Sequence, residues 1–419
     1  MSESTAPPLP ASAPRPAEPA APTTAAERIL APDLARGMML LLIVLAHVPW
    51  FLYTAPTGAA MLHPVGGGLA DRIVQALTLI VVDARTHTMF GFLFAYGIGQ
   101  MAARQAARGA GPADVRRLLR RRHWWMLAFG AVHAALLWQG DIIGTYGLIG
   151  LIMVGLLLHR SDRTIMIWLG ALLGAAAVVC AVSVAAAYAA PAGEAFSAAD
   201  MQRLSIAEPA FLASALVRFP TWVFTMFSGV VSFALPAAFV MGLLAARHRV
   251  LEEPQRHLKL LRRTAVLGIG AGWAAGIAVA LQHTGAAEIA PDGALTAVHF
   301  FTGIFTGAGY AALFGLIAHR IARRGSAGRL PVRALSALGR RSLSGYLAQS
   351  VLLWPLLAAW GLGLGAHLSS WSAAALGIAV WLATVAIAFA LDRADLRGPA
   401  EVLLRRLTYR PAPRTGPTP

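Results

Sequence analysis

The stretch RIVQALTLIVVDARTHTMFGFLFAYGIG (72–99) decides the fold. Its second half opens an apolar run over 87–103, close to the roughly 20 residues that the hydrocarbon core of a bilayer demands. Its first half, RIVQALTLIVV (72–82), is just as apolar but has only 11 residues. A helix of that length rises about 16 Å, roughly half of a bilayer core. Counted as a crossing, it would invert every later loop. Counted as an outer re-entrant or interfacial helix, it leaves ten apolar stretches, at 37–53, 87–103, 123–138, 142–159, 164–190, 221–246, 264–282, 297–318, 342–362 and 371–391. Alternate loops then carry 30 Lys/Arg on one side and 4 on the other, the remaining basic residue being Arg15. By the positive-inside rule both termini are expected in the cytoplasm. The predicted fold class is therefore an all-α polytopic membrane protein with about ten transmembrane helices plus the outer re-entrant or interfacial helix. No β-barrel alternation is visible, and helices are the other structure that satisfies its backbone in lipid.

Composition agrees with this partition. The chain of 419 residues is 57% hydrophobic and 13% charged, against about 45–50% and 25% for soluble domains. A cytosolic enzyme, a disordered chain and a disulfide scaffold are thereby excluded. The formal charge of +16 is spent on topology, so it does not argue for nucleic acid. Residues 1–26, rich in Pro, Ala, Ser and Thr, read as a disordered cytoplasmic arm, 27–411 as a single transmembrane helical domain and 412–419 as a disordered tail. The lone Cys180 lies in an apolar run and supports neither a disulfide nor a Cys-based metal site, and no HExxH or HxxxH spacing occurs. No metal and no bound cofactor are expected. The pieces GIGAG (268–272) and GLGLG (361–365) lie in or beside membrane helices, where glycines permit close packing, and are not nucleotide loops. No internal duplication is evident.

Polar side chains inside a bilayer are expensive, about 2.5–3.5 kcal/mol each on insertion scales, so each needs a partner or a task. His47 lies ten residues beyond Gly37 in the first span, His133 near the end of the third, and Asp141 and Tyr146 at the start of the fourth. All fall in the outer half, and together with His63, Asp83 and His87 they are expected to line one pocket. Each also has a bland alternative: a packed histidine bonded to a neighbouring helix, or an Asp141 that caps the helix after it. Arg120–Arg122 and Arg340–Arg341 obey the topology rule and can also grip phosphates or anionic lipid heads.

The segment APDLARGMMLLLIVLAHV (31–48) resembles the opening of two related groups. One is the YeiB-like family of bacterial integral membrane proteins, a domain-of-unknown-function family (418). The other is the transmembrane acyltransferases, whose first helix starts with Arg-Gly and often has a His near its end. Further blocks similar to the YeiB-like family are THTMFGFLFAYGIG (86–99), GAVHAALLWQGDIIGTYGLIGL (130–151), ALGRRSLSGYLAQSVLL (337–353) and RGPAEVLLRRLTYRP (397–411). The matching polar positions are Arg36, His133, Asp141, Tyr146, Arg340, Ser344, Tyr346 and Gln349. At His47 the YeiB-like pattern usually has Asn, and the histidine is similar to the acyltransferases instead.

The resemblance implies a multi-pass protein of the bacterial inner membrane that moves an acyl or acetyl group from a cytoplasmic thioester to an acceptor in the outer half. Acyl-coenzyme A is the implied donor, a small hydroxyl or amine compound the acceptor, and lipid the surroundings. His47 or His133 would act as the base, with Asp141 or Tyr146 to orient it. Arg36, Arg340, Ser344, Tyr346 and Gln349 would hold the donor, with the spacings Arg340/Ser344 and Tyr346/Ser350 each placing a pair on one helix face. The rival reading is a transporter or exporter component for a lipid or small amphiphile, with the same polar residues lining its path.

Overall fold

In the computed structural model, which describes residues 29–58, 62–189 and 198–409, nearly every element is an α-helix and no strand occurs among the described residues. The arm over 1–26 and the tail over 412–419 lie outside the described residues. In chain order the helices are α1 (Leu30–His47), α2 (Leu69–Val81), α3 (Thr86–Ala107), α4 (Pro112–Leu136) and α5 (Ile143–Leu157). They continue with α6 (Asp162–Ala189), α7 (Ala198–Ile206), α8 (Phe211–Val231), α9 (Ala234–Arg247) and α10 (Leu258–His283). The last are α11 (Asp292–Arg323), α12 (Leu330–Arg340), α13 (Ser342–Leu357), α14 (Ser370–Arg393) and α15 (Pro399–Thr408). Seven stretches, over α1, α2–α3, α6, α8, α10, α11 and α14, are long and apolar enough to cross a membrane, and α5 and α9 are shorter apolar helices. Each of the ten apolar stretches read from the sequence falls on a helix or, in one case, on two.

The stretch at 72–82 is a helix of its own, as expected. α2 ends in a turn in which Ala84 takes a left-handed φ of +59°, and the wholly buried Arg85 holds that turn by donating to the carbonyls of Leu79 at 2.8 Å and Asp83 at 2.5 Å. α2 lies against α10 and α14, with Leu69, Ile73 and Leu77 facing outward.

Two boundaries differ from expectation. The apolar stretch at 221–246 is divided by Phe233, whose φ of +58° separates α8 from α9. The pair Arg340/Ser344 does not share a face of one continuous helix, because the backbone at Arg341 ends α12 and starts α13. α12 is strongly amphipathic, and its small residues lie under α1. A β-carbon added at Gly339 would strike the carbonyl of Asp33, and one added at Gly37 the carbonyl of Leu335.

Close approach through small residues recurs in the bundle, as expected where apolar burial gains nothing over lipid and packing must hold helices together. Gly268 and Gly272 of α10 sit on Phe305 and Thr306 of α11, which is the packing role read for GIGAG. Gly242 of α9 sits on Phe92 of α3. Gly144, Gly147 and Gly150 bring α5 against Trp222, Leu127 and His123. That last pairing, α4 on α5, positions the candidate site.

Candidate functional site

α4 ends by folding its own chain over His133. The amides of Leu137 and Trp138 both donate to the His133 carbonyl, at 2.8 and 3.2 Å, and the short turn that follows returns Asp141 to the histidine side chain. His133 Nδ1 lies 3.0 Å from Asp141 Oδ1, at ion-pair distance, with both side chains buried. Asp141 Oδ2 accepts the amide of Gly144 at 2.7 Å and the indole N–H of Trp222 at 3.3 Å. The carboxylate therefore caps the start of α5 with one oxygen and faces the imidazole with the other. The His133–Asp141 contact lacks hydrogen-bond geometry, so that both His133 nitrogens and Asp141 Oδ1 have no well-formed hydrogen bond among the described residues. The glycine at 130 is required by this geometry, since a β-carbon there would come within 2.5 Å of Asp141 Oδ2.

Tyr346 of α13 packs its ring 5.3 Å from that of His133, and its buried hydroxyl lacks a well-formed hydrogen bond among the described residues. On the other side stands His47, at the last turn of α1, with its ring 4.4 Å from Trp138, 5.9 Å from Trp50 and 6.3 Å from Trp354. Trp138, whose ring packs on His47 and whose amide donates to the His133 carbonyl, links the two histidines. The structure thus brings His47, His133, Asp141 and Tyr346 together. Tyr146 is buried, but its hydroxyl donates to the His87 carbonyl at 2.6 Å and its ring packs at a tilt against Phe90 and Phe94.

Beneath Tyr346 lies a cavity of about 260 Å³. Its lining combines Arg36, Arg104, Arg122 and Arg340, with Asp33 and Glu401 among them, and the apolar or aromatic Phe90, Ile142, Ile143 and Tyr346. A second cavity of about 300 Å³ beside α15 shares Arg122, Arg340, Glu401 and neighbouring apolar residues with the first, and adds Arg341, Arg397 and Arg405. Arg36 reaches the Leu93 carbonyl at 3.1 Å, and Arg340 and Arg341 both pair with Asp392, at 2.6 and 3.1 Å. Two residues expected on the donor path are turned away from it. The Ser344 hydroxyl is 2.5 Å from Glu401, whose other oxygen accepts the amide of Leu343, and Gln349 donates to Thr384 of α14 at 3.3 Å. Ser342 lines the cavity where Ser344 was expected, because α13 begins only at that residue.

The outer histidines do not all join this pocket. His63 pairs with Asp83 at 2.7 Å, and Arg85 lies 3.3 Å from His299 and also donates to the Gly272 carbonyl, so these residues form a second buried cluster against α10 and α11. No group of three metal-ligating side chains occurs among the described residues. The sequence reading passed over Trp138, Trp222, Trp354 and Glu401. Trp138 stands inside the quoted block beside Gln139 and Asp141, and Trp354 falls eight residues after Tyr346, two helical turns on, so a signal was present for both.

Comparison with known proteins gives sequence similarity without an activity. Over 416 aligned residues the chain is 26% identical to the uncharacterized protein YxaH of Bacillus subtilis (strain 168), covering 93% of this chain and 96% of that one. Over 129 residues it is 30% identical to the uncharacterized protein YeiB of Escherichia coli (strain K12), 30% of each chain. Residues 245–411, which include Arg340 and Tyr346 but not Arg36, His47, Arg104, Arg122, His133 or Asp141, match a protein family of unknown function, DUF418. The chain is thus a multi-pass membrane protein whose residues 245–411 match a family of unknown function and whose sequence is similar to those of YxaH and YeiB.

Proposed function

We propose that this protein is a membrane-embedded acyltransferase, with its basic face in the cytoplasm of a bacterial cell and its acceptor side at the outer half of the inner membrane. One observation carries the reading: a cavity lined by four arginines is also lined by Tyr346, and Tyr346 lies against a histidine that is 3.0 Å from a carboxylate. A phosphorylated thioester such as acyl-coenzyme A suits both ends, since guanidinium groups bind its phosphates and the apolar interior takes its thin arm.

The chemistry then follows from the groups present. Asp141 favours the imidazole tautomer with hydrogen on Nδ1, which leaves the lone pair of Nε2 for the acceptor proton. The acceptor oxygen bonds to the thioester carbonyl carbon as His133 takes its proton. The Tyr346 hydroxyl, which has no well-formed hydrogen bond among the described residues, would donate to the oxyanion that develops. The carbon–sulfur bond breaks, and His133 returns the proton to the thiolate, so ester and free thiol leave in equal amounts. Arg36 and Arg340 hold the donor, whereas Ser344 and Gln349 act by fixing α13 to α15 and α14.

The test is release of free thiol from acetyl-coenzyme A by the detergent-purified chain, with and without candidate acceptors. Thioester left intact under every condition, together with movement of a lipid or amphiphile across proteoliposomes, would replace this reading with the transport one.

A further inference from the structure

We infer that the cavity beside α15 is a binding site for the headgroup of an anionic phospholipid, whose phosphate is held by Arg397 and Arg405. The binding is argued from this cavity alone, and only its consequence for catalysis rests on the acyl-transfer reading. Five arginines line the cavity of about 300 Å³: Arg122, Arg340, Arg341, Arg397 and Arg405. Three carboxylates face them, Asp392, Asp395 and Glu401, so the lining carries an excess of two positive charges. Two of those carboxylates are already engaged. Asp392 Oδ1 takes both Arg340 and Arg341, and Glu401 accepts the amides of Leu343 and Ser344, at 2.8 and 3.2 Å. Arg122 lies over the ring of Phe94, 5.4 Å from its centroid, and neither it nor Arg397 nor Arg405 pairs with a carboxylate among the described residues. Arg397 and Arg405 line this cavity and not the one beneath Tyr346, so an anion held by them leaves the donor's place open.

Depth and surroundings select the anion. α13 begins at Ser342 and α14 ends at Arg393, so Arg340, Arg341 and Asp392 stand where the apolar spans give way to the basic surface. Arg122 stands one residue before the apolar stretch of α4. That is the depth at which a bilayer holds its phosphates, and a guanidinium grips two phosphate oxygens with paired N–H donors. α15 is amphipathic and packs on α4 and α13. Its Leu403 and the cavity residue Leu396 are half exposed, which gives acyl chains an apolar edge beside the charge. A soluble phosphate gains nothing from that edge. A zwitterionic lipid brings no net charge and leaves the excess in place, whereas phosphatidylglycerol supplies one negative charge and cardiolipin two. Occupancy bears on the candidate site through Glu401, which lines the cavity and holds Ser344, two residues before Tyr346.

Native mass spectrometry of the full-length chain in neutral detergent, with phosphatidylglycerol, cardiolipin, phosphatidylcholine, glycerol 3-phosphate and acetyl-coenzyme A as probes, tests the inference. Phosphatidylglycerol and cardiolipin should bind saturably and at least about tenfold more tightly than phosphatidylcholine. Arg397→Gln and Arg405→Gln should each weaken phosphatidylglycerol about tenfold, the loss of one charge-assisted hydrogen bond. Arg406→Gln removes an equal charge from the same helix outside the cavity and should bind as the parent does. Phosphatidylcholine binding as tightly as the anionic lipids, or no anionic lipid binding to a chain whose melting curve shows it folded, overturns the inference. So does an Arg406→Gln variant weakened as much as Arg405→Gln, which would leave only the diffuse field of a basic surface. Displacement of phosphatidylglycerol by acetyl-coenzyme A or glycerol 3-phosphate at equal concentration would give the cavity to the donor or to a soluble phosphate instead. Selective lipid binding without any thiol release would sink acyl transfer and leave the lipid site standing.

Discussion

Asp141 has two oxygens with two tasks, and a single substitution separates them. In Asp141→Asn the one remaining oxygen is claimed by the Gly144 amide and the Trp222 indole, which the carboxylate now serves at 2.7 and 3.3 Å. The new NH₂ then faces His133 Nδ1, where a carboxylate oxygen stood at 3.0 Å. An NH₂ there requires a lone pair on Nδ1 and drives the hydrogen to Nε2, the atom that must receive the acceptor proton. Loss of a positioned base typically costs 10²–10⁴ in rate, which corresponds to about 2.7–5.4 kcal/mol of barrier. Because the helix cap survives, stability should fall by no more than about 1 kcal/mol. Asp141→Ala loses the same base orientation and also leaves two buried N–H groups without an acceptor, at about 1–3 kcal/mol each. Thiol release per folded molecule, measured beside thermal unfolding in detergent, should therefore fall alike in both variants while only the alanine variant melts markedly earlier. An asparagine variant as active as the parent, or one that melts with the alanine variant, would refute the division of labour.

Three further outcomes are expected. In a Cys180→Ala background, a single cysteine at Gly109 should react with an impermeant maleimide only after the membrane is opened, and one at Glu288 should react in intact cells; the reverse pattern would overturn the orientation. His47→Ala should lower kcat/KM for the acceptor by at least about tenfold, well beyond the effect of His63→Ala, because His47 packs on Trp138, which also bonds the His133 carbonyl, and His63 is bonded to Asp83. Unchanged transfer with an earlier melt would mark His47 as a packed residue. Glu401→Ala removes the carboxylate that holds Leu343, Ser344 and the start of α13, and should cost about 1–2 kcal/mol and raise the KM for the thioester; a KM equal to the parent's would separate α15 from the donor mouth.

How much of this was legible in the sequence depended on the range of the interaction. Helices whose apolar runs are bounded by arginines, such as α10 and α14, could be read directly, because hydropathy and charge are local. The division at Phe233 could not, since nothing in SGVVSFALP marks a left-handed residue and the break arises where α8 lies on α4 and α5 while α9 turns to α3. In the site, the nearness of His133 and Asp141 follows from eight residues of one hairpin and was anticipated. The bond of Ser344 to Glu401 was not legible because Glu401 lies 57 residues away on a helix that hydropathy does not reveal. The rings around His47 gather Trp50, Trp138 and Trp354 from three distant segments, and only tertiary packing joins them.

The position of α1 bears on how the protein is made. Its neighbours include α12 and α14, and the indole N–H of Trp381 in α14 closes on the carbonyl of Gly37 at 3.1 Å, 344 residues along the chain. At about 5–20 residues per second, the ribosome needs roughly 15–70 s to supply those residues. For that interval the first helix must stay in the membrane with Arg36 and His47 lacking the walls that later enclose them. Insertion of this chain is therefore a problem of waiting as much as of hydrophobicity, and the cell must shelter α1, through its insertion machinery or through provisional contact with α3, until the last third of the protein arrives.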